Sequence, residues 1–191
     1  MRPLLLTAAA LLMAFPVAAQ AATYTGQQAR DIKALSAQDT ADLLAGRGMG
    51  MARPGELNHY PGPAHVLELG DKLGLSVEQR LVVQRSFDRM AGSAKPLGAE
   101  LVRRERALDQ AFKQHSITPA DLASETAAIG QLQGRLRAVH LAAHLETRAI
   151  LTPEQVARYD ELRGYANAAP SAAPSSGPDG GRGGHHGMHP G

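Results

Sequence analysis

Two short stretches, Leu75-Ser76-Val77-Glu78-Gln79 and Leu151-Thr152-Pro153-Glu154-Gln155, repeat one pattern with matching positions 76 residues apart. In each, a leucine precedes a Ser or Thr, and a Gln follows three residues later. A hydroxyl so placed accepts from the third backbone amide of a new helix, while the Gln reaches back to the amide of the capping residue, which makes a capping box. Two such helix starts with amphipathic sequence between them predict an all-α chain.

The sequence after Ser76 carries the clearest period. Val83, Phe87, Met90, Ala94, Leu97, Leu101, Leu108 and Ala111 recur at alternating four- and three-residue steps, with Arg104 taking one turn. That is the stripe of a helix packed lengthwise against others. Pro96 lies inside it and cannot donate to the preceding turn, so a kink or break is expected between Gly92 and Pro96. Thr118-Pro119 opens the next helix, with Leu122, Ile129, Leu132, Leu136, Val139 and Ala143 facing inward. A last helix from Thr152 carries Val156, Tyr159 and Leu162. Upstream, Gln27 to Ala45 reads as a first helix that Ser36 or Asp39-Thr40 could restart midway. Gly46 to Met51 ends it, a loop or strap runs through Asn58-His59-Tyr60-Pro61-Gly62-Pro63, and Ala64 to Leu73 reads as a short helix.

The ends of the chain differ from its middle. Residues 1–21 have the form of an export signal: Arg2, an apolar run from Leu4 to Val17, and the small-residue pattern Ala19-Gln20-Ala21. The mature chain then starts near Ala22, in the periplasm. The rest divides into 22–62, a helix and Gly/Pro-rich strap; 63–165, the helical domain; and 166–191, a Pro/Gly/His-rich tail that cannot bury enough surface to order itself. The chain has no cysteine, which removes disulfides and thiolate metal sites. It has no Trp and only two Phe beyond the signal, Phe87 and Phe112, so the core rests on Leu, Val, Ile and Ala. A net charge of +2 with mixed signs gives no basic stripe for nucleic acid. There is no nucleophile elbow, HExxH, phosphate loop or dinucleotide fingerprint, so no enzyme is expected. The expected architecture is an elongated antiparallel helical hairpin with flanking helices. Its thin core leaves an apolar face that a cradle-like homodimer would cover.

The two Leu-Ser/Thr-x-x-Gln motifs, each opening a helix behind a signal peptide, resemble those of the periplasmic Spy/CpxP family and its metal-sensing relatives. The likeness spans Pro63 to Tyr165, and His140-Leu141-Ala142-Ala143-His144 resembles the metal-sensor branch. The Gly46–Met51 segment, the strap and the tail depart from it. The resemblance implies an ATP-independent chaperone that holds partly unfolded envelope proteins during envelope stress and requires no cofactor. The alternative is a heavy-metal (Zn, Ni or Cu) sensor or metal-binding regulator of a membrane signalling partner such as a sensor kinase. Ser76, Gln79, Thr152 and Gln155 are scaffold in either case.

The candidate ligands are His140 and His144, four apart and so on one helical face. Two imidazoles so placed can grip Zn, Ni or Cu, with a third donor drawn from Glu68, His65, His115 or a partner subunit. The competing reading is a pair of ordinary surface or interface histidines. In the tail, His185, His186, Met188 and His189 offer imidazole and thioether, which suits weak, exchangeable binding of copper or nickel; a chemically idle terminus has equal weight. Met49 and Met51 read only as a flexible apolar contact. Arg103, Arg104 and Arg106, mixed with Glu100, Glu105 and Asp109, read as a solvated face with local ion pairs, or as the charged rim of a client groove.

Overall fold

The computed structural model describes residues 23–166. The expected export signal and the sequence from Ala168 onward, with His185, His186, Met188 and His189, lie outside them. Within them the chain is helical, as its capping signals require. A 3-10 turn at Gln27–Ala29 leads to α1 (Ala37–Ala45), α2 (Arg53–Glu56), α3 (Pro63–Glu68), α4 (Val77–Lys113), α5 (Pro119–Ile150) and α6 (Pro153–Arg163). The antiparallel pair α4 and α5 forms an elongated hairpin. At 1.5 Å per residue, α4 alone is about 55 Å long.

Ser76 with Gln79 and Thr152 with Gln155 both form complete capping boxes. The two motifs also meet. The Gln79 side-chain amide donates to Gln155 Oε1 at 2.8 Å and to the Ile150 carbonyl at 3.0 Å. Gln155 donates back to Gln79 Oε1 at 3.0 Å. The repeat in sequence is thus a reciprocal joint in space, tying the start of α4 to the start of α6.

Two local expectations change, and the restart allowed at Ser36 is realised. The stretch from Gln27 to Ala45 is not one helix, because Ser36 and Asp39 form a capping box of their own and start α1 afresh. The helix expected at Ala64 to Leu73 stops at Glu68, and turns carry the chain to Gly74. α4 runs unbroken through Pro96. Gly92 and Pro96 are both solvent-exposed, so water can satisfy the carbonyl that the proline leaves without a donor.

Two apolar clusters hold the molecule. One joins Ile32, Leu43, Ala94, Leu101, Val102, Ile129, Leu132 and Leu136. The other joins Val66, Leu73, Val83, Leu151, Val156 and Tyr159. Between α1 and α4 the approach is close enough that a Cβ on Gly98 would lie 2.1 Å from the Leu43 carbonyl oxygen. The basic cluster forms ion pairs: Arg103 and Arg104 reach Glu100, Arg104 also crosses to Glu125 on α5, and Arg106 reaches Asp31. No helix among the described residues is long and apolar enough to cross a membrane.

Candidate metal-binding cavity

The two apolar clusters leave a gap between them. On α4, Met90 falls between Val83 of one cluster and Ala94 of the other; on α5, His140 falls between Leu136 and Leu151. The strap between α1 and α3 lies over this gap. Gly46, left-handed at φ 70°, ends α1. Gly48 then lays its backbone on the His140 ring, where an added Cβ would sit 3.4 Å from Nδ1. Met49 follows in the left-handed region at φ 46°, and Gly50 at φ 78°. The result is a cavity of about 460 Å³ whose walls include Met49, Arg53, Glu56, His65, Met90, His140 and His144.

Structure therefore brings His140 and His144 into one cavity. His140 is only 3% exposed, and its Nε2 is buried with no hydrogen-bond partner. Burial, and secondarily the neighbouring His144, hold its imidazole below the ordinary histidine pKa, so at neutral pH the ring is uncharged and carries a free lone pair. His144 is fixed differently. Its Nδ1 lies 2.7 Å from the Tyr60 carbonyl. A carbonyl only accepts, so Nδ1 is the donor in this pair, the arrangement that orients a metal-ligating histidine through its other ring nitrogen. Gly62 makes room for this ring, since a Cβ there would meet His144 Cε1 at 2.8 Å and Nε2 at 2.9 Å.

A third element of the cavity is saturated. The Glu56 carboxylate accepts from the Tyr159 hydroxyl, from the Tyr165 hydroxyl at 3.1 Å and from the Gly62 amide at 3.2 Å. Arg163 and His65 stand 3.5 Å away. Burial opposes the charge on Glu56, but the hydrogen bonds from His65, Tyr159 and Tyr165 outweigh it and hold the pKa at about 2. Burial and Glu56 together push the Tyr159 hydroxyl well above the ordinary tyrosine range, so it stays a donor. Glu56 is thus a charged anchor that fixes the strap to α6.

The other expected third ligands do not converge with the pair. His65 lines the cavity with Nδ1 turned to Tyr159, 3.3 Å away. Glu68 is exposed on α3. His115 sits in the α4–α5 turn, roughly 30 Å from His140 along α5 at 1.5 Å per residue. Glu146 accepts from Ser86 and Arg89. Among the described residues, no group of three or more His, Asp or Glu side chains is arranged to hold a metal. Sequence reasoning missed Met90, Glu56 and the seat of Met49. Met90 was legible only as a stripe residue, and Met49 only as part of a glycine-rich turn.

The site is thus a histidine-lined cavity beneath a strap on a helical hairpin. The chain belongs to the heavy-metal-resistance family, whose model matches residues 43–158. No curated protein and no solved structure matches it. The match overturns the assignment to the Spy/CpxP family and the chaperone function drawn from it. The Leu-Ser/Thr-x-x-Gln motifs encode helix starts and a joint between them, which is scaffold and does not specify what the scaffold does. The α4 stripe meets the packing that its period predicts: Ala94, Leu101 and Val102 are buried in the cluster that Leu43 of α1 and Ile129, Leu132 and Leu136 of α5 complete.

Proposed function

We propose that this protein is a periplasmic metal-binding regulator of a heavy-metal-resistance system, taking its ion at His140 and His144 and acting with a membrane-bound signalling partner. The observation that carries the reading is the buried Nε2 of His140. An unpaired polar atom in a protein interior costs about 1–3 kcal/mol, and an ion coordinated there would relieve that cost. The family match supports the same reading. So does the place of the cavity: α5 supplies the histidines and the strap supplies its cover, so a bound ion would tie strap to hairpin. An ion with different affinities for strap-closed and strap-open states would shift the balance between them, which is what a signalling partner could sense.

The test is calorimetric titration of the mature chain with Zn(II), Ni(II) and copper, beside two variants. One carries His140→Ala and His144→Ala; the other replaces His185, His186, Met188 and His189 by Ala. Binding lost in the first and kept in the second is the expected result. Binding that survives in the first and disappears in the second would assign all affinity to the C-terminal donors and refute the reading.

A further inference from the structure

The donors that remain free in the cavity are nitrogen and sulfur. Glu56 is the carboxylate on its wall, and both of its oxygens are already engaged by the tyrosine hydroxyls, the Gly62 amide and the Arg163 guanidinium. His65 does not group with the pair to hold a metal, which leaves the imidazoles of His140 and His144 and the thioethers of Met49 and Met90, lining the same space. Arg53 lines it too, its guanidinium folded back 2.9 Å from where a Gly50 Cβ would lie, beside Met49.

Resting on the metal-binding reading above, we infer that the cavity is selective for a soft monovalent ion, copper(I) or silver(I), with Met49 and Met90 completing the ligand set begun by His140 and His144. Three observations carry this. Thioether sulfur is a good donor to copper(I) and a poor one to Zn(II) or Ni(II), which favour imidazole with thiolate or carboxylate. Imidazole and thioether donors bring no negative charge of their own, and the Glu56 carboxylate and Arg53 guanidinium on the same wall oppose one another. Desolvation rises with the square of the ion's charge, so a monovalent ion is penalised less than a divalent one. Finally, Met49 is a non-glycine residue at φ 46° between Gly48 and Gly50. Such a conformation carries strain, and residues held this way recur at ligand clamps. Here it follows directly on the Gly48 backbone that covers His140.

The experiment uses the full mature chain with His185, His186, Met188 and His189 replaced by Ala, so that only the cavity is read. Silver(I) and, under reducing conditions, copper(I) are titrated against a chromophoric chelator, and Zn(II) and Ni(II) are titrated in parallel. Methyl resonances of the methionines are followed by carbon-detected labelling. One equivalent of silver(I) or copper(I) is expected, with shifts confined to Met49 and Met90. Met49→Leu with Met90→Leu, which nearly conserves volume, should lower copper(I) affinity at least about tenfold while leaving the melting curve near that of the parent. Zn(II) or Ni(II) binding that depends on His140 and His144, with copper(I) affinity indifferent to the methionine changes, would overturn the soft-ion inference and leave the metal-binding reading standing. If no ion shows dependence on either histidine, both fall.

Discussion

Gly98→Ala is the sharpest test of how α1 is attached. Gly98 is buried in the middle of α4, where alanine is intrinsically better by about 1 kcal/mol. Packing opposes that gain. The new Cβ would lie 2.1 Å from the Leu43 carbonyl oxygen and 2.7 Å from its carbon. A carbon and an oxygen in contact need about 3.3 Å, so α1 must retreat by roughly 1 Å. The obstacle is backbone, and no rotamer change can relieve it. Nearby, Gly46 already sits against the Lys95 and Ala94 positions of α4, with a Cβ there placed 3.0 and 3.4 Å from their side chains, so the retreat also disturbs the end of α1. Leu43, 2% exposed, loses part of a burial worth about 1.5–3 kcal/mol.

Overpacking of this kind costs about 1–3 kcal/mol or more and outweighs the propensity gain, so a net loss of about 1–2 kcal/mol is expected. For a chain of this size that is a fall in melting temperature of roughly 3–8 °C. Gly134→Ala on α5 is the matched control: it is exposed, and a Cβ there meets nothing within 4 Å, so it should gain up to about 1 kcal/mol. Thermal melts by circular dichroism measure both. Amide exchange should quicken in residues 37–45 of the Gly98 variant and remain unchanged in α6. A Gly98→Ala protein as stable as its parent, or one whose α1 amides stay protected, would refute the argument that this glycine sets the α1–α4 approach.

Gln155→Glu keeps an acceptor for the Thr152 amide but removes the donor to Gln79, and should cost about 1–3 kcal/mol; a melt equal to that of the parent would show that the joint contributes nothing. Glu56→Gln should destabilise by about 2–3 kcal/mol at neutral pH, since the hydrogen bonds it weakens end on a charge. Because the Glu56 pKa is lowered from 4.5 to about 2, its ionic contribution is complete above pH 4.5 and is lost as pH falls toward 2, so the two melting curves should converge across that window. A gap that stays constant down to pH 2 would contradict the assignment. His140→Leu should melt about 1–2 kcal/mol higher than the parent, because it removes an unpaired buried nitrogen, while losing the ion; a lower melt would indicate that Nε2 has a partner.

Much of the fold was legible because it is local. Capping boxes at Ser76 and Thr152, the Thr118-Pro119 start and the stripe on α4 depend on residues three or four apart, and the helices begin where those signals place them. Ser36 shows the same rule at work, since its box with Asp39 makes the restart that the sequence allowed there. What the sequence could not disclose is where α1 and the strap lie. Gly98 is a helix-interior glycine with no local reason to be there, and only the passage of Leu43 over it explains the residue. Glu56 is likewise ordinary in sequence, and its role depends on Tyr159 and Tyr165, more than a hundred residues away.

The candidate site shows the same division between local and distant signals. His140 and His144 could be paired from their spacing, because four residues on a helix is a local relation. Their chemistry could not, because it is set by the strap: the Tyr60 carbonyl that chooses the His144 tautomer, the Gly48 backbone that covers His140, and Met49 beside it. Seen alone, the pair satisfies the Zn, Ni or Cu reading equally well, since an imidazole serves all three. The discrimination lies in the other donors. A third histidine or a free carboxylate would favour a divalent ion, yet His65 does not group with the pair to hold a metal and Glu56 is bound to the strap and α6. Thioethers are what remain, and they come from α4 and a glycine-rich turn that periodicity had marked as core and loop. The residues that choose the ion are therefore distant in sequence from those that announce the site, and only the folded strap brings the two sets together.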